Sequence, residues 1–132
     1  MKSTNLFIFA CLAVLGACAR MPPGESPEYA ARMTDAGDRY TACITREAEK
    51  DMKNPARAED IALAAHGRCW SAWETYREAV NSRFIHGART PGEIQFARDR
   101  SEGHLREFER EARRSLVDSV IQRNMPGGGT GR

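Results

Sequence analysis

The sequence has little net charge, no alternating β pattern and none of the common catalytic motifs. Its 132 residues carry a net charge of +2, too little for the strong field of a nucleic-acid-binding protein, so no nucleic-acid partner is expected. No stretch alternates apolar and polar residues with period two, which argues against a half-buried β-sheet. Glycine-rich phosphate loops, G-x-S-x-G elbows and H-E-x-x-H motifs are also missing, so we expect neither an enzyme nor a cofactor.

Long apolar runs are scarce, and the one that exists lies near the N-terminus. It covers residues 6–15 and follows Lys2 and a short polar stretch. A run of about ten residues is too short to cross a hydrocarbon core about 30 Å thick, so it is typical of a signal peptide rather than of a retained membrane anchor. The pattern predicts that the chain is exported.

The residues that close this run carry a family resemblance. They are Leu15-Gly16-Ala17-Cys18, which resemble the lipobox of bacterial lipoprotein precursors: a leucine, two small residues and a cysteine. The resemblance implies that residues 1–17 are cleaved as a signal peptide and that acyl chains attached to Cys18 hold the protein in a lipid bilayer. Ala19, the next residue, implies an envelope protein anchored in the outer membrane and facing the periplasm.

A second interpretation of the same segment is an ordinary secretory signal. Ala17-Cys18-Ala19 also fits an A-x-A cleavage pattern with a cut before Arg20. The mature protein would then be secreted without lipid.

Cysteine is rare outside the signal region. Of the four cysteines, Cys11 is removed with the signal peptide and Cys18 is lipidated or lost, which leaves Cys43 and Cys69. An even number of cysteines in an oxidising compartment predicts one disulfide between these two. The alternative is a pair of buried free thiols in a reduced protein.

The mature chain predicts one helical domain between two segments that lack a helical pattern. Residues 18–26 are rich in proline and predict a lipidated tether, whereas the glycine-rich residues 125–132 predict a disordered tail. The helical domain between them covers residues 27–124.

Three pairs of a capping residue and a proline predict helix starts within the domain. They are Ser26-Pro27, Asn54-Pro55 and Thr90-Pro91. Glu93 adds a capping box at the third start, and Gly87 is placed to end the second helix. The predicted helices lie near residues 27–52, 55–86 and 91–123.

Each predicted helix carries one stripe of small or apolar residues at steps of three and four, as expected of a buried face. The first stripe contains Tyr29, Met33, Ala36, Tyr40, Cys43 or Ile44, and Ala48. The second contains Ala58, Ala62, Ala65, Cys69, Trp73, Tyr76, Val80 and Phe84. The third contains Ile94, Ala97, Ser101, Leu105, Phe108, Ala112, Leu116 and Val120.

Short connections favour antiparallel neighbours, so we predict an all-α, antiparallel three-helix bundle. Cys43 lies 12 residues before Pro55 and Cys69 lies 14 residues after it, which places both at one height of a hairpin. This fits the Cα separation of about 5.5–6 Å in a disulfide, so one disulfide is expected to staple the bundle. Gly103 within the third helix suggests a kink or a close approach to another helix.

Candidate binding residues cluster on the second predicted helix. Trp73 belongs to the apolar stripe, whereas Trp70 lies at its edge and is the aromatic residue expected to be exposed. His66 lies one turn before Trp70, and Arg77 lies one turn after Trp73, where it can stack on the ring. These four residues form a possible ligand edge, although aromatic residues at helical spacing more often belong to a core.

A metal site is not expected. His66 and Cys69 lie one turn apart, and Cys43 could complete a zinc or copper site, but no fourth ligand is apparent. On the third helix, acidic residues precede arginines by four positions, which predicts a solvent-exposed, ion-paired face. These pairs are Glu102 with Arg106 and Glu109 with Arg113.

Together these features predict a non-catalytic envelope lipoprotein that serves as a binding, structural or assembly accessory with an envelope protein as partner. One alternative is an inhibitor or exclusion factor that acts on an incoming enzyme or on phage or plasmid machinery, which requires an exposed apolar or aromatic patch. Another is a carrier of a metal or small ligand that uses His66 and the edge at Trp70.

Overall fold

The computed structural model describes residues 26–53 and 56–125, and this part of the chain contains four α-helices. Helix α1 spans Pro27–Asp51, α2 spans Ala58–Arg68, α3 spans Trp70–Ile85 and α4 spans Pro91–Asn124. No strand occurs among these residues. The all-helical class is confirmed, whereas the predicted count of three helices is wrong. The predicted signal peptide, Cys18, most of the tether and the tail from residue 126 onwards lie outside the described residues.

The additional helix arises because the predicted second helix is interrupted at Cys69. The backbone of this residue has φ −101° and ψ 18°, outside the α-helical region. Its N–H still donates to the carbonyls of Ala65 and His66, and its carbonyl accepts from Trp73, so hydrogen bonding continues past the interruption. The apolar stripe also continues through Cys69, which explains why the sequence pattern predicts a single helix.

The three predicted helix starts have different outcomes. Thr90 and Glu93 form the expected capping box: the Thr90 hydroxyl accepts from the Glu93 N–H at 3.2 Å, and the Glu93 carboxylate accepts from the Thr90 N–H at 2.9 Å. Ser26 precedes α1, but its side chain makes no capping hydrogen bond. The start at Asn54-Pro55 is wrong, because α2 begins at Ala58 with Arg57 as its N-cap.

Contacts at the two ends of the bundle define its topology. The rings of Tyr29 and His86 lie 4.3 Å apart, which places the start of α1 beside the end of α3. Arg123 and Glu49 form an ion pair at 2.9 Å, which places the end of α4 beside the end of α1. Helices α1 and α4 therefore run in the same direction, and α3 runs antiparallel to both. We call the end that contains Ser26 and the α3–α4 turn the Ser26 end.

The buried face of each helix follows the predicted stripes. All the stripe positions are buried or half-buried, and Ile61 joins them in the core. Ser101, 1 % exposed, is the polar residue of the third stripe, and its hydroxyl donates to the side-chain oxygen of Asn81 on α3. Each large aliphatic side chain buried in this way stabilises the fold by roughly 1.5–3 kcal/mol. Helix packing therefore follows from the stripe pattern.

The closest approach at a glycine occurs at Gly37 rather than at Gly103. A Cβ atom built on Gly37 would lie 3.2 Å from Cε2 of Tyr76, so α1 approaches the Tyr76 ring closely there. A Cβ on Gly103 would meet no atom within 4 Å, and α4 continues through this residue to Asn124. The expected close approach at Gly103 is therefore wrong. At Gly87, by contrast, φ is 87°, and this glycine ends α3 as predicted.

None of the helices in residues 26–53 and 56–125 is both long enough and apolar enough to cross a membrane.

Candidate functional site

Three of the four residues of the predicted ligand edge meet at the junction of α2 and α3. The imidazole of His66 lies 6.0 Å from the ring of Trp70 and 5.8 Å from the ring of Trp73, measured between centroids. Trp70 is 53 % exposed, whereas Trp73 is 7 % exposed and belongs to the core. The structure therefore forms an aromatic cluster with one exposed member, and that member is Trp70 as the sequence predicts.

Arg77 does not join this cluster. Its guanidinium forms an ion pair with Glu74, one turn earlier on the same helix. Among the described residues, the arginine stacked on aromatic rings is Arg100, which lies over Phe84 and Phe96 at the other end of α3. The predicted stacking of Arg77 on Trp73 is not present.

His66 is held in place by a tyrosine of α1. The hydroxyl of Tyr40 and Nδ1 of His66 share a hydrogen bond of 2.7 Å, which links α1 to α2. Burial raises the pKa of Tyr40 to about 12, so the hydroxyl keeps its proton at neutral pH. The cavity beside this pair, between Tyr40, His66 and Arg113, measures about 10 Å³ and has room for no more than one water molecule. A larger ligand cannot reach His66 from that side.

A second tyrosine–histidine pair joins α3 to α4. The hydroxyl of Tyr76 lies 3.0 Å from Nε2 of His104, and burial raises the pKa of Tyr76 to about 12. Burial, with a smaller contribution from the positive charge of Arg83, lowers the pKa of His104. The neutral imidazole is therefore favoured, and the pair serves as a polar contact between two packed helices.

Each of the three histidines of the chain lies beside one of its three tyrosines. The third pair consists of Tyr29 and His86, whose rings are in contact at the Ser26 end. These pairs could not be predicted from the sequence, because each histidine meets a tyrosine of another helix. The sequence contains three tyrosines and three histidines, but equal numbers do not specify which tyrosine meets which histidine.

The two cysteines of the helical domain form the predicted disulfide. Cys43 and Cys69 are bonded, and their Cα atoms lie 6.0 Å apart. The disulfide therefore contains both of the thiols that could have bound a metal ion together with His66. In the part of the chain that the structure describes, no group of three or more His, Cys, Asp or Glu side chains is arranged to hold a metal ion.

An exposed apolar surface lies next to the disulfide. Leu63 is 58 % exposed and Trp70 is 53 % exposed. Between them, a Cβ built on Gly67 would meet no atom within 4 Å, so the surface between the two side chains is open. We call these three residues the Leu63–Trp70 patch. Exposed tryptophans are typical of protein contacts.

The surface of the bundle is rich in ion pairs. Arg68 on α2 contacts Glu47 at 3.1 Å and also Asp51, so ion pairs tie α2 to α1 beside the disulfide. On α4, the two predicted pairs are present: Glu102 with Arg106 at 3.6 Å and Glu109 with Arg113 at 2.9 Å. These exposed pairs give the surface solubility and little stability.

No protein-family model, curated protein or solved structure matches this chain.

Proposed function

We propose that this chain is a bacterial envelope lipoprotein, anchored in a membrane by acyl chains on Cys18, and that its helical bundle is a non-catalytic binding, structural or assembly accessory. The observation that carries the proposal is the segment Leu15-Gly16-Ala17-Cys18 directly after an apolar run of signal-peptide length. More than one acyl chain on the mature N-terminus is enough for stable anchoring.

The disulfide supports export of the domain. Cytosolic thiols are kept reduced, whereas disulfides persist in the periplasm and outside the cell. The bond between Cys43 and Cys69 therefore fits a domain that folds after export. Ala19 after the lipidated cysteine favours the outer membrane, with the bundle facing the periplasm.

The Leu63–Trp70 patch is the surface on which we expect a protein partner to bind. Tryptophan is enriched among the residues that contribute most to protein–protein affinity. Two neighbours of Trp70 are tied to α1, because His66 bonds to Tyr40 and Cys69 is held by the disulfide. An envelope protein is the proposed partner. Nucleic acid is not, since the net charge of +2 provides no strong field.

The same patch supports a second candidate function. An inhibitor or exclusion factor that blocks an incoming enzyme, phage or plasmid machinery also needs a rigid, exposed aromatic surface. The source of the partner separates the two candidates, since one partner is a resident of the envelope and the other arrives from outside. A metal carrier has less support, because the disulfide occupies both thiols that would bind the metal.

Replacement of the lipidated residue tests the proposal. Cys18→Ser should abolish incorporation of labelled palmitate and should release the protein from the membrane fraction. Cys11→Ser is the matched control, because Cys11 lies in the apolar run and is removed with the signal peptide. It should leave both labelling and membrane association unchanged.

Mass spectrometry of the mature N-terminus gives the opposing outcome. A first residue of acylated Cys18 supports the lipoprotein. An unacylated chain that begins at Arg20 and fractionates with soluble periplasmic protein would establish ordinary secretion and refute the anchor.

A further inference from the structure

The Ser26 end carries a second exposed aromatic surface, separate from the Leu63–Trp70 patch. Phe96 on the first turns of α4 is 65 % exposed. The guanidinium carbon of Arg100 lies 5.9 Å from the centroid of the Phe96 ring and 5.3 Å from that of Phe84 on α3. Together with Arg89 in the α3–α4 turn, these residues form what we call the Phe96 cluster.

The arginines of the Phe96 cluster are free to bind an external anion. Within residues 26–53 and 56–125, neither Arg89 nor Arg100 has a carboxylate within 4.0 Å of its guanidinium. The acidic residue beside them is Glu93, whose carboxylate accepts from the N–H groups of Arg89 and Thr90, both at 2.9 Å. These bonds lower the pKa of Glu93 and commit its carboxylate to the capping box.

The residues of the cluster also line a cleft. A cleft of about 180 Å³ opens between the end of α3 and the start of α4, and its lining includes Phe84, Phe96, Arg100 and the capping residue Glu93. Apolar rings in contact with a guanidinium group match the transition from acyl chains to phosphates at a bilayer surface.

The position of the cluster relative to the anchor identifies the bilayer as its partner. The eight residues from Cys18 to Glu25 span at most about 28 Å. If Cys18 is lipidated, as proposed above, the Ser26 end of the bundle is therefore confined close to the membrane surface. The opposite end is not, because α4 alone has 34 residues and is about 51 Å long.

We infer that the Phe96 cluster docks the bundle on the phospholipid bilayer to which the protein is anchored. Phe96 enters the interface, and Arg89 and Arg100 contact headgroup phosphates. The acyl chains supply the membrane affinity, so the small net charge of the protein is no obstacle. The cluster sets the orientation of the bundle, with the Ser26 end on the membrane. This inference rests on the proposed lipid anchor.

Fluorescence quenching in vesicles tests the docking. Lipidated full-length Phe96→Trp protein is reconstituted into vesicles of phosphatidylethanolamine and phosphatidylglycerol, with or without bromine on the acyl chains. The new tryptophan should be quenched by the bromine. Leu63→Trp is the matched control, because Leu63 is also more than half exposed but lies on α2, and its fluorescence should not be quenched beyond that of the native chain.

A second variant tests the arginine contacts. In the Phe96→Trp background, Arg100→Gln removes one guanidinium near the phosphates and should lower the docking equilibrium constant about fivefold, seen as weaker quenching. Arg106→Gln is its control, because Arg106 pairs with Glu102 elsewhere on α4. Equal quenching in the two variants would overturn the role of Arg100.

The outcomes separate failure of the docking from failure of the anchor. Mass spectrometry of the same sample reports acylation of Cys18. If Cys18 is acylated and tryptophans at positions 96 and 63 are quenched equally, the docking is refuted and the anchor stands. If Cys18 carries no acyl chain, the proposed function fails first and the docking loses its basis. Stronger quenching at position 96 in the acylated protein supports both.

Discussion

The two hairpins of the bundle are held together in different ways. Between α1 and the α2–α3 segment, a disulfide joins Cys43 to Cys69, and Arg68 forms ion pairs across the same two helices, α1 and α2. Between α3 and α4, the link consists of partly buried hydrogen bonds, Tyr76–His104 and Ser101–Asn81. Both hairpins contain a tyrosine–histidine pair, so the difference between them lies in the covalent bond.

The hairpin without the disulfide has the stronger local signals for a turn and a helix start. The α3–α4 turn has Gly87 at positive φ and a complete capping box at Thr90. At the first hairpin, α2 begins after Arg57, which makes no side-chain capping bond. In this bundle, the hairpin with the complete capping box has no covalent link, and the hairpin whose α2 N-cap makes no side-chain bond carries the disulfide.

The largest effect should come from breaking the disulfide. Reduction releases a loop with a sequence separation of 26 residues, which in the chain-entropy model lowers the free energy of unfolding by about 3.5 kcal/mol. Urea unfolding with and without reductant measures the difference. The Cys43→Ser/Cys69→Ser double variant is the control, since its stability should not respond to reductant. Equal midpoints for oxidised and reduced native protein would contradict the first half of the comparison.

A smaller effect is expected from the tyrosine–histidine pair of the second hairpin. Tyr76→Phe removes a hydroxyl bonded to His104 and should lower the free energy of unfolding by about 1.5 kcal/mol, because the imidazole loses its partner in a half-buried site. Urea unfolding of oxidised protein is the measurement. Tyr29→Phe retains the ring that packs on His86 and should change stability by less than about 0.5 kcal/mol. If both variants lose the same amount, the hydrogen bond does not support the hairpin.

The smallest effect should come from the helix caps. Thr90→Ala removes the capping box of α4 and should cost about 1 kcal/mol. Ser26→Ala replaces an N-cap whose side chain makes no capping bond, so it should cost only a few tenths of a kcal/mol. Thermal unfolding of the two variants ranks them. A larger loss for Ser26→Ala would reverse the assignment of strong and weak helix starts.

Residues whose environment is set by helical spacing could be predicted from the sequence. The stripes from Tyr29 to Val120 turned inward as expected, because burial of one helix face depends on periodicity alone. The disulfide followed from the same reasoning, since hairpin height and cysteine positions agree. The exposure of Trp70 followed from its place at the edge of a stripe.

Apart from the disulfide, the contacts between particular side chains of different helices could not be predicted. The interruption at Cys69 leaves the apolar period intact, so no local pattern marks it. Tyr40 finds His66 across 26 positions and Tyr76 finds His104 across 28, and such pairings require the packed helices to be known. Gly37 faces a tyrosine ring of another helix, whereas Gly103, more conspicuous in its sequence, faces open space.

Because α1 and α4 run parallel, the first and last residues of the helical domain lie far apart. The first described residue, Ser26, and the last, Met125, lie at opposite ends of a rod whose longest helix measures about 51 Å. A fusion placed after Met125 would be carried far from one placed before Ser26. The bundle therefore separates residues 26 and 125 by most of its own length.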